Sequence, residues 1–298
     1  MTINKRTILV LGSGTMGNGI THSFAQHHFS VLLYDTNKEA LQKSLHTIST
    51  NLERQITKGI IPASEKEIIL SKITPISDLK QAAESCQLAI EVVPEIFEIK
   101  SDVFKLLDQY CAPDTILASN TSSISITKLA SVTKRPDKVI GMHFMNPVPV
   151  MKLVEVINGL QTSKQTTDTI VQIAELIGKT PLTVADYPGF VSNRVLMPMI
   201  NEAIYCLYEH IAGVQEIDQI MKLGMSHPMG PLELADYIGL DVCLNIMKIL
   251  QNGFGNQKYA PCPLLINMVQ AGLLGNKSKI GFYDWTNPKE RTINTMFT

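Results

Sequence analysis

Short apolar runs rich in Ile, Val and Leu alternate with longer segments of helical periodicity through the first 185 residues. That alternation is the mark of β-α units stacking into a largely parallel sheet. The runs predict strands at 7–11, 31–34, 88–93, 115–118, 139–143, 152–157 and 182–184. Between the second and third lies a helical stretch, 38–71, broken near Gly59 and Pro62 and longer than a plain crossover needs. After Asp186-Tyr187-Pro188-Gly189 the strand pattern stops, and the remainder reads as helices punctuated by Pro and Gly near 228–231 and 252–263. The expected architecture is a doubly wound α/β domain over 1–185, carrying 38–71 as a helical arm, followed by an all-α domain over 186–298. A chain of 298 residues exceeds the usual span of one compact domain, which accords with that division.

The first strand runs into Gly12-Ser13-Gly14-Thr15-Met16-Gly17, a G-x-G-x-x-G spacing where a helix begins. Gly12 permits the tight turn, Gly14 lets the backbone approach a pyrophosphate, and Gly17 lets helix and strand pack closely. Chance supplies about 0.06 such triplets in a chain with 18 glycines among 298 residues, so the triplet alone is a modest signal. Its setting strengthens it, because the second strand ends at Asp35, eighteen residues beyond Gly17. A carboxylate there accepts hydrogen bonds from the adenosine ribose and repels a 2′-phosphate, so a Rossmann-type sheet binding NAD rather than NADP is expected. The plain alternative is a tight β-α turn with a surface Asp.

Composition removes other classes. With 26 basic residues against 27 acidic ones and no dense run of Lys or Arg, the chain has no stripe for tracking nucleic acid. Five widely spaced cysteines, Cys86, Cys111, Cys206, Cys243 and Cys262, contain no C-x-x-C pair, which argues against a disulfide framework or a zinc site. A reducing compartment, the cytoplasm, is expected. So is the absence of a leader or a membrane span, with an import sequence removed beforehand as the open alternative.

A dehydrogenase acting on an alcohol needs a base near neutral pKa beside the hydride acceptor. Of seven histidines, His22, His27, His28 and His46 fall on helices of the first domain and His210 near a helix end. His143 instead closes the strand VIGMH and precedes Phe144-Met145-Asn146-Pro147, a loop at the sheet's carboxyl edge, where doubly wound folds bind ligands. Twelve residues on, Glu155 sits in the apolar strand KLVEVI, a poor place for an unpaired carboxylate. Pairing the two would fix the imidazole tautomer and stabilise its cation; a structural histidine capping a strand is the other reading. Ser119-Asn120-Thr121-Ser122-Ser123 follows another strand, and serves either a substrate oxygen or nicotinamide amide, or the cap of the next helix.

Taken with EVVPE (91–95), SNTSS (119–123), GMHFMNPVPVMKLVEV (141–156), PGFVSNR (188–194), KLGMSHPMGPLELADYIGLD (222–241) and GFYDW (281–285), these residues identify a likeness covering nearly the whole chain. The chain resembles the L-3-hydroxyacyl-CoA dehydrogenases, in particular their bacterial 3-hydroxybutyryl-CoA branch. The resemblance implies reversible hydride transfer between C3 of an L-3-hydroxyacyl-CoA, short-chain 3-hydroxybutyryl-CoA above all, and NAD, in fatty acid or butanoate metabolism. It implies His143 as general base, Glu155 as its orienting carboxylate, and Ser122 and Asn193 as holders of the reacting oxygen. Cofactor contacts are implied at Gly12, Gly14, Thr15, Met16, Gly17, Asp35, Glu95, Lys100, Asn146 and Lys277. The arm would cover CoA, with Ser44 in the contacting register and Arg54 and Lys58 as phosphate partners. The helical domain would form a homodimer and close the cleft, with 186–189 near the hinge.

Three departures bear on this. Lys279 replaces a glycine of the family's C-terminal motif and reshapes or strains the loop carrying Lys277 if that position needs positive φ. Ala260 stands where relatives often have Arg, and Asn51 where animal relatives have a CoA-contacting Lys. These touch acyl-chain and CoA affinity more than hydride transfer. The rivals are a CoA-independent dehydrogenase of the L-gulonate type and a catalytically silent NAD-binding protein.

Overall fold

In the computed structural model, which describes residues 7–287 and 290–298, the chain divides into units of Met1–Tyr187 and Pro188–Thr298. The first unit contains β1 (Thr7–Leu11), β2 (Ser30–Tyr34), β3 (Ile73–Ile76), β4 (Leu88–Glu91), β5 (Ile116–Ser119), β6 (Val139–Phe144), β7 (Leu153–Asn158) and β8 (Thr180–Ala185). They form one sheet in the order β3-β2-β1-β4-β5-β6-β7-β8. The winding reverses between β1 and β4, the place where open α/β sheets receive ligands. β4, β5 and β6 are buried along their whole lengths, as strands covered on both faces must be.

Helices α1 (Thr15–Gln26), α2 (Lys38–Thr57), α3 (Glu65–Leu70), α4 (Leu79–Ser85), α5 (Phe97–Tyr110), α6 (Ile126–Ala130) and α7 (Lys164–Leu176) connect the strands. The arm expected over 38–71 is α2 and α3, parted at Gly59, whose φ is +66°. Asn37 starts α2 by accepting the Glu39 and Ala40 amides. Only Leu41, Ser44, Ile48 and Leu52 of its twenty residues are buried, a single stripe at 3–4 residue spacing, so the remaining faces of α2 are open.

Two features differ from the pattern reading. β3 was not expected, because Pro75 interrupts its four residues, ITPI; a proline is tolerated there since β3 is the edge of the sheet. β6 and β7 run antiparallel, whereas the other neighbours in the sheet are parallel.

The second unit packs α8 (Ser192–Tyr208), α9 (Val214–Gly224), α10 (Pro231–Ile238), α11 (Leu240–Phe254) and α12 (Pro263–Gln270) around one apolar core that includes Ile204, Leu232, Leu250 and Phe282. A small antiparallel pair, β9 (Tyr283–Asp284) with β10 (Thr292–Ile293), is added to the helices. Two buried acids tie the C-terminal segment down. Asp218 receives the Leu232 and Glu233 amides and the Tyr283 hydroxyl, and Asp236 receives the Phe282 and Tyr283 amides and the Trp285 indole. Gly281 is required by that contact, since a Cβ there would lie 2.0 Å from Asp236 Oδ1.

Candidate functional site

Gly12, at the carboxyl end of β1, has φ +109°, and a Cβ on it would meet the Val92 carbonyl oxygen at 2.7 Å. A Cβ on Gly17 would lie 1.8 Å from the Gly12 carbonyl oxygen, so only glycine lets α1 approach the turn this closely. Gly14 is different: a Cβ there meets nothing within 4 Å. Gly14 is also the N-cap of α1 and offers no side-chain cap, leaving the first amides of the helix aimed outward at an open face. Such a cradle fits an anionic pyrophosphate.

Asp35 sits beside this turn. Its Oδ2 accepts the Ser13 amide at 2.8 Å and hydroxyl at 2.7 Å, and its Oδ1 accepts the Asn37 amide at 2.9 Å. Burial pushes its pKa up, but the hydrogen bonds from Asn37, Ser13 and Thr36 outweigh burial and hold the carboxyl below the usual range. It is therefore an anion at neutral pH, suited to ribose hydroxyls and hostile to a phosphate.

Three sheet positions further along, His143 is the penultimate residue of β6. The antiparallel register pairs it directly with Glu155 on β7, and cross-strand partners project to the same face. Nδ1 of His143 lies 2.8 Å from Glu155 Oε2, with both residues buried. The twelve-residue spacing is thus the length of a strand end, a connecting loop and a strand start. That loop carries Asn146, which is exposed, and it is tied down by Lys179, whose buried ammonium donates to the Val148 and Met151 carbonyls.

The segment 119–123 leaves β5 beside them. Asn120 Oδ1 accepts the Phe144 amide at 2.9 Å, next to His143. Oε1 of Glu95 accepts from the hydroxyls of Thr121 (2.5 Å), Ser122 (3.3 Å) and Ser123 (2.8 Å) and from the amides of Ser122 (2.9 Å) and Ser123 (3.0 Å). Lys100, 1% exposed, donates to Glu91 Oε1 at 2.7 Å and the Val93 carbonyl at 3.2 Å and pairs with Glu95 Oε2 at 3.2 Å. Burial raises the Glu95 pKa, but Lys100 and the hydroxyl and amide donors more than offset this and hold it low; for Glu91 burial wins and the pKa is raised.

Glu91 and Lys179 did not stand out in the sequence. The usable signal for Glu91 was an acid closing the otherwise apolar strand LAIE. For Lys179, lying between α7 and β8, no pattern distinguishes a buried lysine from a solvated one.

Other expected positions lie elsewhere. Ser44 is buried, and its hydroxyl and carbonyl both accept the Asn18 amide, so it holds α2 against α1. Arg54 and Lys58 are exposed on the arm. Asn193 is buried in the first turn of α8 in the helical unit. Lys277 pairs with Asp241 in that same unit. Lys279 has φ +68°, in the left-handed region that favours glycine, so the condition for strain in the loop carrying Lys277 is met. No group of His, Cys, Asp or Glu suited to a metal occurs among the described residues, and no helix among them is long and apolar enough to cross a membrane.

Comparison with known sequences gives two matches in chain order. The family "3-hydroxyacyl-CoA dehydrogenase, NAD binding domain" covers residues 7–187, and "3-hydroxyacyl-CoA dehydrogenase, C-terminal domain" covers residues 189–285. A probable 3-hydroxybutyryl-CoA dehydrogenase of Bacillus subtilis is 54% identical over 94% of this chain and 97% of its own. The 3-hydroxybutyryl-CoA dehydrogenase of Clostridioides difficile is 52% identical over 93% and 99%. Among solved structures, the (S)-3-hydroxybutyryl-CoA dehydrogenase of Ralstonia eutropha superposes with a TM-score of 0.93 at 44% identity, covering 95% of this chain and 100% of that one.

Proposed function

The chain belongs to the 3-hydroxyacyl-CoA dehydrogenase family, and from that membership we propose that it interconverts a short-chain L-3-hydroxyacyl-CoA, foremost 3-hydroxybutyryl-CoA, and its 3-oxoacyl-CoA. It is an NAD-dependent oxidoreductase. Bound NAD supplies the hydride acceptor in the oxidative direction and the reduced form the donor in the other. Gly12, Gly14, Thr15, Met16 and Gly17 would receive its pyrophosphate, Asp35 its adenosine ribose, and Glu95, Lys100, Asn146 and Lys277 are the further contacts that the resemblance implies.

The observation that carries the mechanism is the 2.8 Å contact between His143 Nδ1 and Glu155 Oε2. An ionised Glu155 keeps the ring proton on Nδ1 and leaves Nε2 to exchange a proton with the substrate hydroxyl. As Nε2 takes that proton in oxidation, the adjacent buried carboxylate offsets the positive charge. Ser122 would hold the reacting oxygen by its hydroxyl, with Asn193 in the same role by resemblance. A place in fatty acid or butanoate metabolism and in the cytoplasm suits the substrate and the free cysteines.

Initial rates of NADH formation on L-3-hydroxybutyryl-CoA, the free hydroxy acid and L-gulonate test the substrate. Turnover confined to gulonate would sink the reading in favour of the CoA-independent relatives; no turnover on any of them, with NADH still bound, would favour a silent protein. Homodimerisation through the helical unit belongs to the same proposal. It is supported by Ile220 (59%), Leu223 (82%) and Met225 (61%), a run of exposed apolar side chains at the end of α9. Sedimentation should give twice the 32.9 kDa of one chain, and Leu223→Asp should shift the species toward the monomer.

A further inference from the structure

We propose that the last turn of α11 and the connector that follows it form a seat that positions Asn193 for the reaction, and that Arg194 keys α8 into this seat. The segment before α8 rests on α11 with no space to spare. A Cβ on Gly253 would lie 2.6 Å from Pro188 Cγ, and a Cβ on Gly189 would lie 2.6 Å from Leu250 Cδ2 and 3.4 Å from Asn193 Cβ. Gly189 and Phe190 both have left-handed backbones, with φ of +74° and +50°. For a buried phenylalanine that conformation is uncommon, and it persists only where the surroundings enforce it. The Gly189 carbonyl accepts the Asn193 and Arg194 amides, each at 3.2 Å, so the strained turn runs straight into the first turn of α8.

Two side chains of α8 lock the helix to the same seat. The Arg194 guanidinium stands 4.6 Å from the centre of the ring of Phe254, the last residue of α11, and that ring stacks at 5.0 Å and 26° on the buried Tyr259. Seven residues on, and so on the same face of α8, the buried Asn201 donates to the Ala260 carbonyl at 3.0 Å and accepts the Cys262 amide at 2.8 Å. Grips two turns apart fix both the rotation of α8 and its position along its axis. Val191, the N-cap, has no side-chain group that could do this. Asn193 is the neighbour of the first grip, so loosening Arg194 moves the amide that would hold the reacting oxygen.

This rests on the reading of Asn193 as a holder of the reacting oxygen, so Asn193→Ala is the reference: full turnover in that variant would end the reading and the proposal with it. Once Asn193→Ala lowers kcat on 3-hydroxybutyryl-CoA, the test of the seat is Arg194→Met, a change at an exposed position, in the full-length protein. Expected are a kcat lower by about tenfold, a KM for the acyl-CoA and an NADH dissociation constant within about twofold of wild type, and faster amide hydrogen exchange at residues 190–194. In the Asn193→Ala background the same substitution should change kcat by less than about twofold, because a positioning residue then has nothing to position. Phe254→Leu should reproduce the loss, and Phe254→Tyr, which keeps the ring, should retain wild-type kcat; this pair decides the matter if Arg194→Met does not fold. Wild-type kcat in a folded Arg194→Met protein, or a loss that persists in full alongside Asn193→Ala, would overturn the proposal. So would a raised KM for the acyl-CoA with kcat unchanged, which would make Arg194 a substrate contact.

Discussion

The imidazole of His143 and the carboxylate of Glu155 are each ordinary groups made specific by what they face. Glu155→Gln keeps the shape and removes the charge, leaving the ring with no anion to offset its protonated form. Turnover in oxidation should fall by about a hundredfold or more, while NADH binding, followed by fluorescence, stays near wild type; a variant with undiminished kcat would remove Glu155 from proton transfer. Lys279 tests the opposite case, a residue at odds with its backbone. Its φ of +68° costs an L-residue about 1 kcal/mol that glycine avoids, so Lys279→Gly should raise the melting temperature of the helical unit. An unchanged or lower melting point would mean that contacts of the lysine side chain compensate.

At the scale of elements, the glycine turn and the strand pattern were readable because both depend on local rules, a backbone that must bend and apolar runs that must be covered. The strands expected at 88–93, 115–118 and 152–157 are β4, β5 and β7 within one or two residues. What could not be read was pairing direction. Nothing in Leu153–Asn158 says that it runs antiparallel to β6, yet that reversal sets His143 opposite Glu155. β3 was lost to a correct rule, since proline argues against a strand except at an edge, and edges are a property of the assembled sheet. The buried chain through Lys100 was hidden for a similar reason: burial of a lysine is decided by α5 lying on β4, not by its neighbours in sequence. The turn itself yields a sharp expectation. Gly17→Ala puts a carbon where the Gly12 carbonyl oxygen stands, so α1 must move away from β1. Denaturant titration should show a loss of about 3 kcal/mol or more, and NADH binding should weaken with it. Retained NADH affinity would mean that the turn is not the cofactor cradle.

On the scale of the whole molecule, the two units carry buried titratable groups that respond to acid in opposite senses. His22, on α1 in the sheet unit, has its pKa lowered from 6.5 to about 4, chiefly by burial, with the Gln26 side chain opposing and the Lys179 charge adding to it. A depressed folded pKa means that the folded unit binds the proton less well than the unfolded chain. Its stability contribution is whole above pH 6.5 and drains away as pH falls toward 4. Asp35 and Glu95, held low, act in the same direction at lower pH, and Glu91, raised, acts against them. Asp236, in the helical unit, has its pKa raised from 3.8 to about 6, first by burial and despite its hydrogen bonds from Trp285, Tyr283 and Phe282. Its folded form holds the proton more tightly, so its contribution is whole below 3.8 and is lost as pH rises through 6; the raised Asp218 adds to it. Going from pH 7 to pH 5, the sheet unit should lose about 2 kcal/mol through His22 while the helical unit gains about 1 kcal/mol through Asp236. Calorimetry should then resolve two transitions that separate on acidification, because a chain of two units need not melt as one. His22→Leu should cancel the acid shift of the first transition and Asp236→Asn that of the second. Two transitions that move together, or a His22→Leu protein with the full acid shift, would show that these buried groups do not govern how each unit answers to pH.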